Sequence, residues 1–234
     1  MQTKLEPNFL KSEQGQLADK ILRNCVHCGF CTATCPTYQI LNDELDGPRG
    51  RIYQIKQMFE GHPISKETLT HLDRCLTCRS CETTCPSGVE YNQLLEIGKS
   101  EIEKRIKRPI VQQLLRKSLL FVFPNSKRFN FILNIGQFFR PLLPVSLKKQ
   151  IPVKNKLPQL QLKSHQRKML ILDGCVQPAL SPEINHASMQ VLNALDIEPV
   201  SFSGCCGAIR QHLSDEENAL ATIKNNIDRI EAEL

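Results

Sequence analysis

Tryptophan is absent from this 234-residue chain, and no apolar run reaches the ~18–20 residues that a membrane-spanning helix needs. The sequence therefore offers no candidate span. The N-terminus, Met1-Gln-Thr-Lys-Leu-Glu-Pro7, lacks the apolar core of a secretory signal. That argues for the reducing cytoplasm and against disulfide pairing. A third absence is local. Between Lys104 and Lys168 there is no Asp or Glu against 16 Lys and Arg, so the remainder, with 14 basic and 24 acidic side chains, carries −10 in a chain whose total is +6. Two acidic ends flank a basic middle.

What the chain has in excess is cysteine: eleven, grouped as four, four and three. The first group is Cys25-Val-His-Cys28-Gly-Phe-Cys31-Thr-Ala-Thr-Cys35-Pro36, and the second is Cys75-Leu-Thr-Cys78-Arg-Ser-Cys81-Glu-Thr-Thr-Cys85-Pro86. Both read C-x2-C-x2-C-x3-C-P, the run that binds [4Fe–4S] clusters in two-cluster ferredoxins. Three closely spaced thiolates cap three irons of one cube. The fourth cysteine lies too far round and reaches the other cube. The expected ligands are Cys25, Cys28, Cys31 and Cys85 for one cluster, and Cys75, Cys78, Cys81 and Cys35 for the other. Each oxidised cluster with its four thiolates adds about −2 of charge. Zinc needs four ligands per ion and has no use for this third and fourth spacing or the proline. A zinc-stabilised interaction module is the weaker reading.

The surrounding text predicts mainly helices. Leu17, Ile21 and Leu22 share one face of a short helix before Cys25. Gly47-Pro48 opens a helix with Ile52, Ile55, Met58 and Phe59 inward, closed by Gly61. Ser65 caps another through Leu69 and Leu72. A longer helix from Tyr91 places Leu94, Leu95, Gly98, Ile102 and Ile106 inward and stops at Pro109. The basic middle holds six of the ten phenylalanines and six of the fourteen prolines. Within it, 114–123 and 129–139 read as amphipathic helices, and 148–168 as a linker. The last part changes period. Met169–Leu172 reads as a buried strand before Gly174-Cys175. A helix from Ser181-Pro182 has Ile184, Ala187, Val191, Leu192 and Leu195 inward. A second strand covers 197–201 before Gly204-Cys205-Cys206-Gly207. Ser214-Asp-Glu-Glu217 reads as a capping box for a final helix with Leu220, Ile223, Ile227 and Ile230 inward. That βαβα order implies a parallel α/β unit.

Gly174-Cys175 with Gly204-Cys205-Cys206-Gly207 resembles the first half of a CCG (cysteine-rich) domain. The chain as a whole resembles the glycolate oxidase iron–sulfur subunit family, on the two cysteine runs, Asp43–Tyr53, His71–Gly88, Gly174–Pro178 and Gly204–Ala208. The resemblance implies three parts: an α-helical ferredoxin-type domain with two [4Fe–4S] clusters over 1–108, a basic connector over 109–167, and half of a CCG module over 168–234. Family members are longer, so the half-module is expected to show an unpaired sheet edge and uncovered apolar helix faces. Cys175, Cys205 and Cys206 are its candidate site. The family implies no substrate chemistry on this chain. A flavoprotein subunit carrying FAD oxidises glycolate or D-lactate, and the electrons pass through this subunit to a membrane acceptor, with quinone the expected kind. The chain is then one component of a hetero-oligomeric dehydrogenase, cytoplasmic or peripheral on the inner face of the membrane. A heterodisulfide-reductase type of enzyme subunit is the alternative.

Other residues carry less. His27, His71, His186 and His212 read as packing or hydrogen-bonding side chains rather than ligands. Arg49, Arg51, Arg74 and Arg79 flank the cysteine loops, where they either form ion pairs or raise cluster potentials. The basic middle suits an anionic membrane face or an acidic partner. No recognition motif for nucleic acid accompanies it.

Overall fold

The structure is a computed structural model that describes residues 1–153 and 157–233; the part of the expected linker at 154–156 lies outside the described residues, as does Leu234. The chain divides into two compact units, Met1–Pro109 and a second from Ile110 onward. It is mainly helical, and among the described residues its sheet has two strands.

The first unit is built on four longer helices: α1 (Glu13–Asn24), α2 (Pro48–Phe59), α3 (Lys66–Asp73) and α4 (Tyr91–Arg105). Local chemistry fixes their ends. Ser12 and Ser65 accept the N–H groups of Gly15 and Thr68 at the starts of α1 and α3, filling donors that the helix cannot satisfy itself. Pro48 sits at the first position of α2, where its fixed φ suits the helix and no N–H is needed. Gly61, with φ +87, turns the chain after it. The inward stripes meet in one core of Ala18, Ile21, Leu22, Ile52, Ile55, Met58, Phe59, Leu69, Leu72, Leu94, Leu95 and Ile102. Leu17, expected inside, is on the rim, and Ala18 fills its place. The close approach of α2 and α4 depends on Gly98: a Cβ there would come within 2.9 Å of Ile55 Cγ1.

The second unit starts with helices α5 (Ile110–Val122) and α6 (Ser126–Phe139), each beginning a few residues before its expected start. Parallel strands β1 (Arg167–Gly174) and β2 (Ile197–Ser203) are joined by helix α7 (Pro182–Ala194), and helix α8 (Glu216–Glu233) follows. The register pairs Arg167 with Ile197 and Leu172 with Phe202. Three expectations need correction. β1 is not a buried strand: Leu172 is 60% exposed, because each strand has one neighbour and one open edge. On α7, Ile184, Ala187 and Val191 are exposed, as is Leu195 just after it; Pro182, Asn185, His186, Met189, Leu192 and Asn193 are the partly covered positions. On α8, Leu220, Ile223 and Ile227 face out while Ala219 is buried. The apolar stripes exist, but among the described residues only Leu192 and Ile230 of them are even partly covered. Ser214 does not cap α8 either. It has φ +59, and Asp215 is the residue that precedes the helix, its carbonyl accepting from Ala219 N at 2.9 Å.

Candidate metal centre

The eight motif cysteines lie in two loops of the same shape. Each runs from an extended stretch into a one-turn helix, Phe30–Ala33 in the first and Ser80–Thr83 in the second. His27 (φ 56) and Gly29 (φ 87) take left-handed backbone in the first loop, and Thr77 (φ 51) and Arg79 (φ 61) do so in the second. Only one of these four is glycine. Left-handed backbone is unfavourable for side chains with a Cβ, so the surrounding structure holds three residues in conformations that they would not choose. Thr34 Oγ1 donates to Ser80 O at 3.3 Å and so ties the loops together.

Two cavities lie beside the loops. One is lined by Cys25, Cys28, Cys31, Cys81 and Cys85. The other is lined by Cys35, Cys75, Cys78 and Cys81. The first thus takes three cysteines from the first loop and two from the second, the second takes one and three, and Cys81 lines both. All eight are free thiols.

The electrostatics follow the same grouping. Burial pushes the Cys25 thiol up, and Cys85 and Cys28 add to it. Burial likewise raises Cys31, with Cys25 beside it. Cys81 is pushed up to about 12 by burial, then by Cys75, Cys31 and Cys35. Cys78, nearer solvent, is held below the usual thiol range by hydrogen bonds from Ser80. Sulfurs crowded this way resist ionising together, and bound cations remove that resistance because thiolate is the ligating form. The cysteine sulfurs gathered there are soft ligands that suit iron–sulfur clusters or zinc, not hard cations.

Beneath the second cavity is a polar network that no sequence signal announces. Asp46 is fully buried. Its carboxylate takes Arg74 Nη1 at 2.8 Å, lies 3.1 Å from His71 Nδ1, and is 3.4 Å from Arg51 Nη2. Arg51, 1% exposed, also donates from Nε to His71 O at 2.7 Å and from Nη1 to Thr37 Oγ1 at 3.1 Å. Thr37 Oγ1 is 3.1 Å from Cys35 Sγ. Burial alone would raise the Asp46 pKa, but the hydrogen bonds and charges of His71 and Arg74 hold it below the usual carboxylate range. The four arginines beside the loops are all in ion pairs: Arg49 with Glu44, Arg51 and Arg74 with Asp46, and Arg79 with Glu82. His27 lines the first cavity, and burial, then Arg49, lowers its pKa. His186 Nε2 is 3.0 Å from Pro158 O, and His212 is exposed.

In the second unit, Cys175 follows β1 and Cys205-Cys206 follow β2, so all three stand at the C-terminal ends of parallel strands, where ligand sites of open α/β sheets form. Gly174 (φ +75) and Gly207 (φ +88) shape these turns. Burial raises the Cys175 thiol to about 11, with Cys205 contributing charge and a hydrogen bond. Cys205 Sγ accepts from Gly207 N at 3.4 Å. The charge of Cys206 also acts on Cys175, more weakly than that of Cys205.

Comparison with known proteins agrees with this layout. Residues 21–89 match the 4Fe-4S dicluster domain family, and residues 169–233 match the cysteine-rich domain family. The chain is 51% identical over 233 residues, 97% of its length, to the glycolate oxidase iron-sulfur subunit of Escherichia coli K12. It is 29% identical over 99% of its length to a probable glycolate oxidase iron-sulfur subunit of Bacillus subtilis. It is also 24% identical over 90% of its length to a dihydromethanophenazine:CoB–CoM heterodisulfide reductase component from Methanosarcina acetivorans. The chain spans 57%, 59% and 52% of these relatives' lengths. No solved structure matches it significantly. Matches to a 4Fe-4S dicluster domain family and to a cysteine-rich domain family thus lie on one chain, which along 97% of its length is similar to a glycolate oxidase iron-sulfur subunit.

Proposed function

We propose that this chain is an electron-transfer subunit holding two [4Fe–4S] clusters, one on Cys25, Cys28, Cys31 and Cys85 and the other on Cys35, Cys75, Cys78 and Cys81. The observation that carries the reading is the pair of neighbouring cavities with interleaved cysteine linings. Bound there, each cluster supplies reversible one-electron redox chemistry. The chain's own residues do the rest. Pro48, Cys81 and Tyr91 line both cavities. The core helices fix both loops, and the Asp46–Arg51–His71 network braces Cys35 through Thr37.

In this reading residues 1–108 are the cluster domain, 109–167 a basic connector and 168–234 half of a cysteine-rich module, with Cys175, Cys205 and Cys206 as its site. The working assembly is a glycolate oxidase. A flavoprotein partner carrying FAD oxidises glycolate or a related 2-hydroxy acid, and this chain passes the electrons toward a quinone-linked acceptor at the membrane. Among the described residues no helix is long and apolar enough to cross a membrane. Contact with the bilayer would fall to α5 and α6, which expose Val111, Leu114, Phe121, Phe131, Ile135 and Phe138 in a stretch free of acidic residues. Apolar and cationic side chains together suit an anionic interface.

Anaerobic purification with metal analysis tests the central claim. About eight irons and eight sulfides per chain are expected for two four-iron clusters; a colourless zinc protein would overturn it. Adding glycolate to the co-purified complex should reduce the iron–sulfur signals, and no reduction would remove glycolate as the electron source. Sedimentation with anionic liposomes should show binding at low salt that weakens at high salt. Absence of binding at low salt would rule out the bilayer contact.

A further inference from the structure

Tyr91 is the one side chain with a phenol hydroxyl that lines both cysteine cavities. It is the first residue of α4 and 4% exposed. Its phenol oxygen lies 3.6 Å from Cys75 Sγ, to which it donates. The backbone around it is pinned: Tyr91 N donates to Val89 O at 2.8 Å, and Asn92 N donates to Glu82 Oε1 at 2.7 Å, beside Cys81. A metal-bound thiolate has no proton to give, so in this pair the phenol is the donor.

Each loop has a serine or threonine hydroxyl on a cysteine, Thr32 on Cys31 and Ser80 on Cys78, but among the described residues the first loop has no phenol to match Tyr91. Tyr91 stands six residues after Cys85, and the residue six after Cys35 is Leu41, an exposed aliphatic side chain. A backbone amide, Val89 N, reaches Cys85 Sγ at 3.5 Å. Thr37 is a weaker source of asymmetry, since its single proton is shared between Asp46 O at 2.8 Å and Cys35 Sγ at 3.1 Å.

We propose that Tyr91 sets the two sites apart in potential, its hydroxyl raising the reduction potential of the site built on Cys75 above that of the site built on Cys25. Reduction adds one negative charge to a cluster, and a donor hydrogen bond to a ligating sulfur favours the more negative state. An electron shared between the sites then rests on the Cys75 side, and the Cys25 site stays oxidised. Tyr91 is a positioning residue here, acting through Cys75.

The inference rests on the proposed cluster ligation, and one experiment separates the two. Anaerobic redox titration followed by electron paramagnetic resonance is run on the full chain and on Tyr91→Phe, with iron and sulfide counted in both. Two distinct potentials are expected in the unchanged chain. In Tyr91→Phe one potential should fall, the other should stay, and the iron count should hold. If neither potential moves, or both move equally, the inference is overturned. If the unchanged chain holds no iron and sulfide, the ligation itself fails. Should Tyr91→Phe lose iron, labelling with 3-fluorotyrosine decides, because it strengthens the phenol as a donor while preserving its shape. One potential should then rise, and unmoved potentials overturn the proposal.

Discussion

The unit ending at Pro109 encloses Leu22, Ile55, Phe59, Leu72, Leu94 and Leu95 completely, whereas among the described hydrophobic residues the second unit buries only Ile197, Phe202 and Ala219. Both units contain amphipathic helices of similar length. What separates them is the number of partners. In the first, four helices turn their stripes toward one another, and each cysteine loop hangs between helices that are themselves fixed. In the second, α7 and α8 carry stripes of Ile184, Val191 and Leu195 and of Leu220, Ile223 and Ile227 that meet no facing layer among the described residues. A parallel sheet normally has both faces covered, and two strands cannot supply that cover. An amphipathic pattern states that a helix has an inner side; it does not supply the surface to which that side belongs.

Substitutions in matched pairs test this contrast. The largest effect is expected at the cysteines. Cys35→Ala should lower bound iron from about eight to about four atoms per chain and abolish the signal of the site built on Cys75, while Cys175→Ala should leave those eight in place. Metal analysis with electron paramagnetic resonance checks both. Next is Asp46→Ala, which leaves Arg51 buried without its counter-charge and should cost about 3–5 kcal/mol in chemical denaturation. The same carboxylate predicts an acid sensitivity confined to the first unit. Its folded pKa is depressed, so its contribution is present above the ordinary carboxylate value of about 3.9 and is lost as pH falls through the lower folded value. Stability measured from pH 6 down to pH 3 should drop less steeply in Asp46→Asn than in the unchanged chain.

A third pair addresses packing directly. Leu95→Ala should cost about 2–5 kcal/mol, and Leu220→Ala should stay within about 0.5 kcal/mol. A large loss at Leu220 would mean that the α8 stripe is covered in solution. The smallest effect belongs to a cap. Ser65→Ala removes the acceptor of Thr68 N and should cost about 1 kcal/mol, seen as a small drop in thermal midpoint.

Much of the first unit is legible in the sequence because its signals are short-range. Cysteine spacing, Pro48, Gly61, Ser65 and the stripes at Ile52–Phe59 and Leu94–Ile102 each report on their own neighbourhood. Asp46 is not legible as a buried hub. Its partners stand five, 25 and 28 residues away at Arg51, His71 and Arg74, and nothing in Asp43-Glu-Leu-Asp46 says which acid turns inward. The mismatches in the second unit have the same origin. Stripe positions on α7 and α8 follow from period alone, and period is blind to whether a neighbour exists. Ser214 fails as a cap because a capping pattern does not report the backbone conformation that delivers the chain to the helix. The strain at Thr77 and Arg79 is equally hidden, since glycine advertises left-handed backbone at Gly29 and nothing does so at the two later positions.

The interleaving of the two loops also bears on the order of events during synthesis. A ribosome that has released the chain through Pro36 has made four cysteines, yet the first cavity still lacks Cys85 from its lining and the second has only Cys35. The second cavity gains its last cysteine at residue 81 and the first at residue 85, about fifty residues after Cys35, so the second motif completes both within a few residues. Metal loading is thereby tied to a nearly finished domain, and a nascent chain arrested between the motifs presents only partial sites.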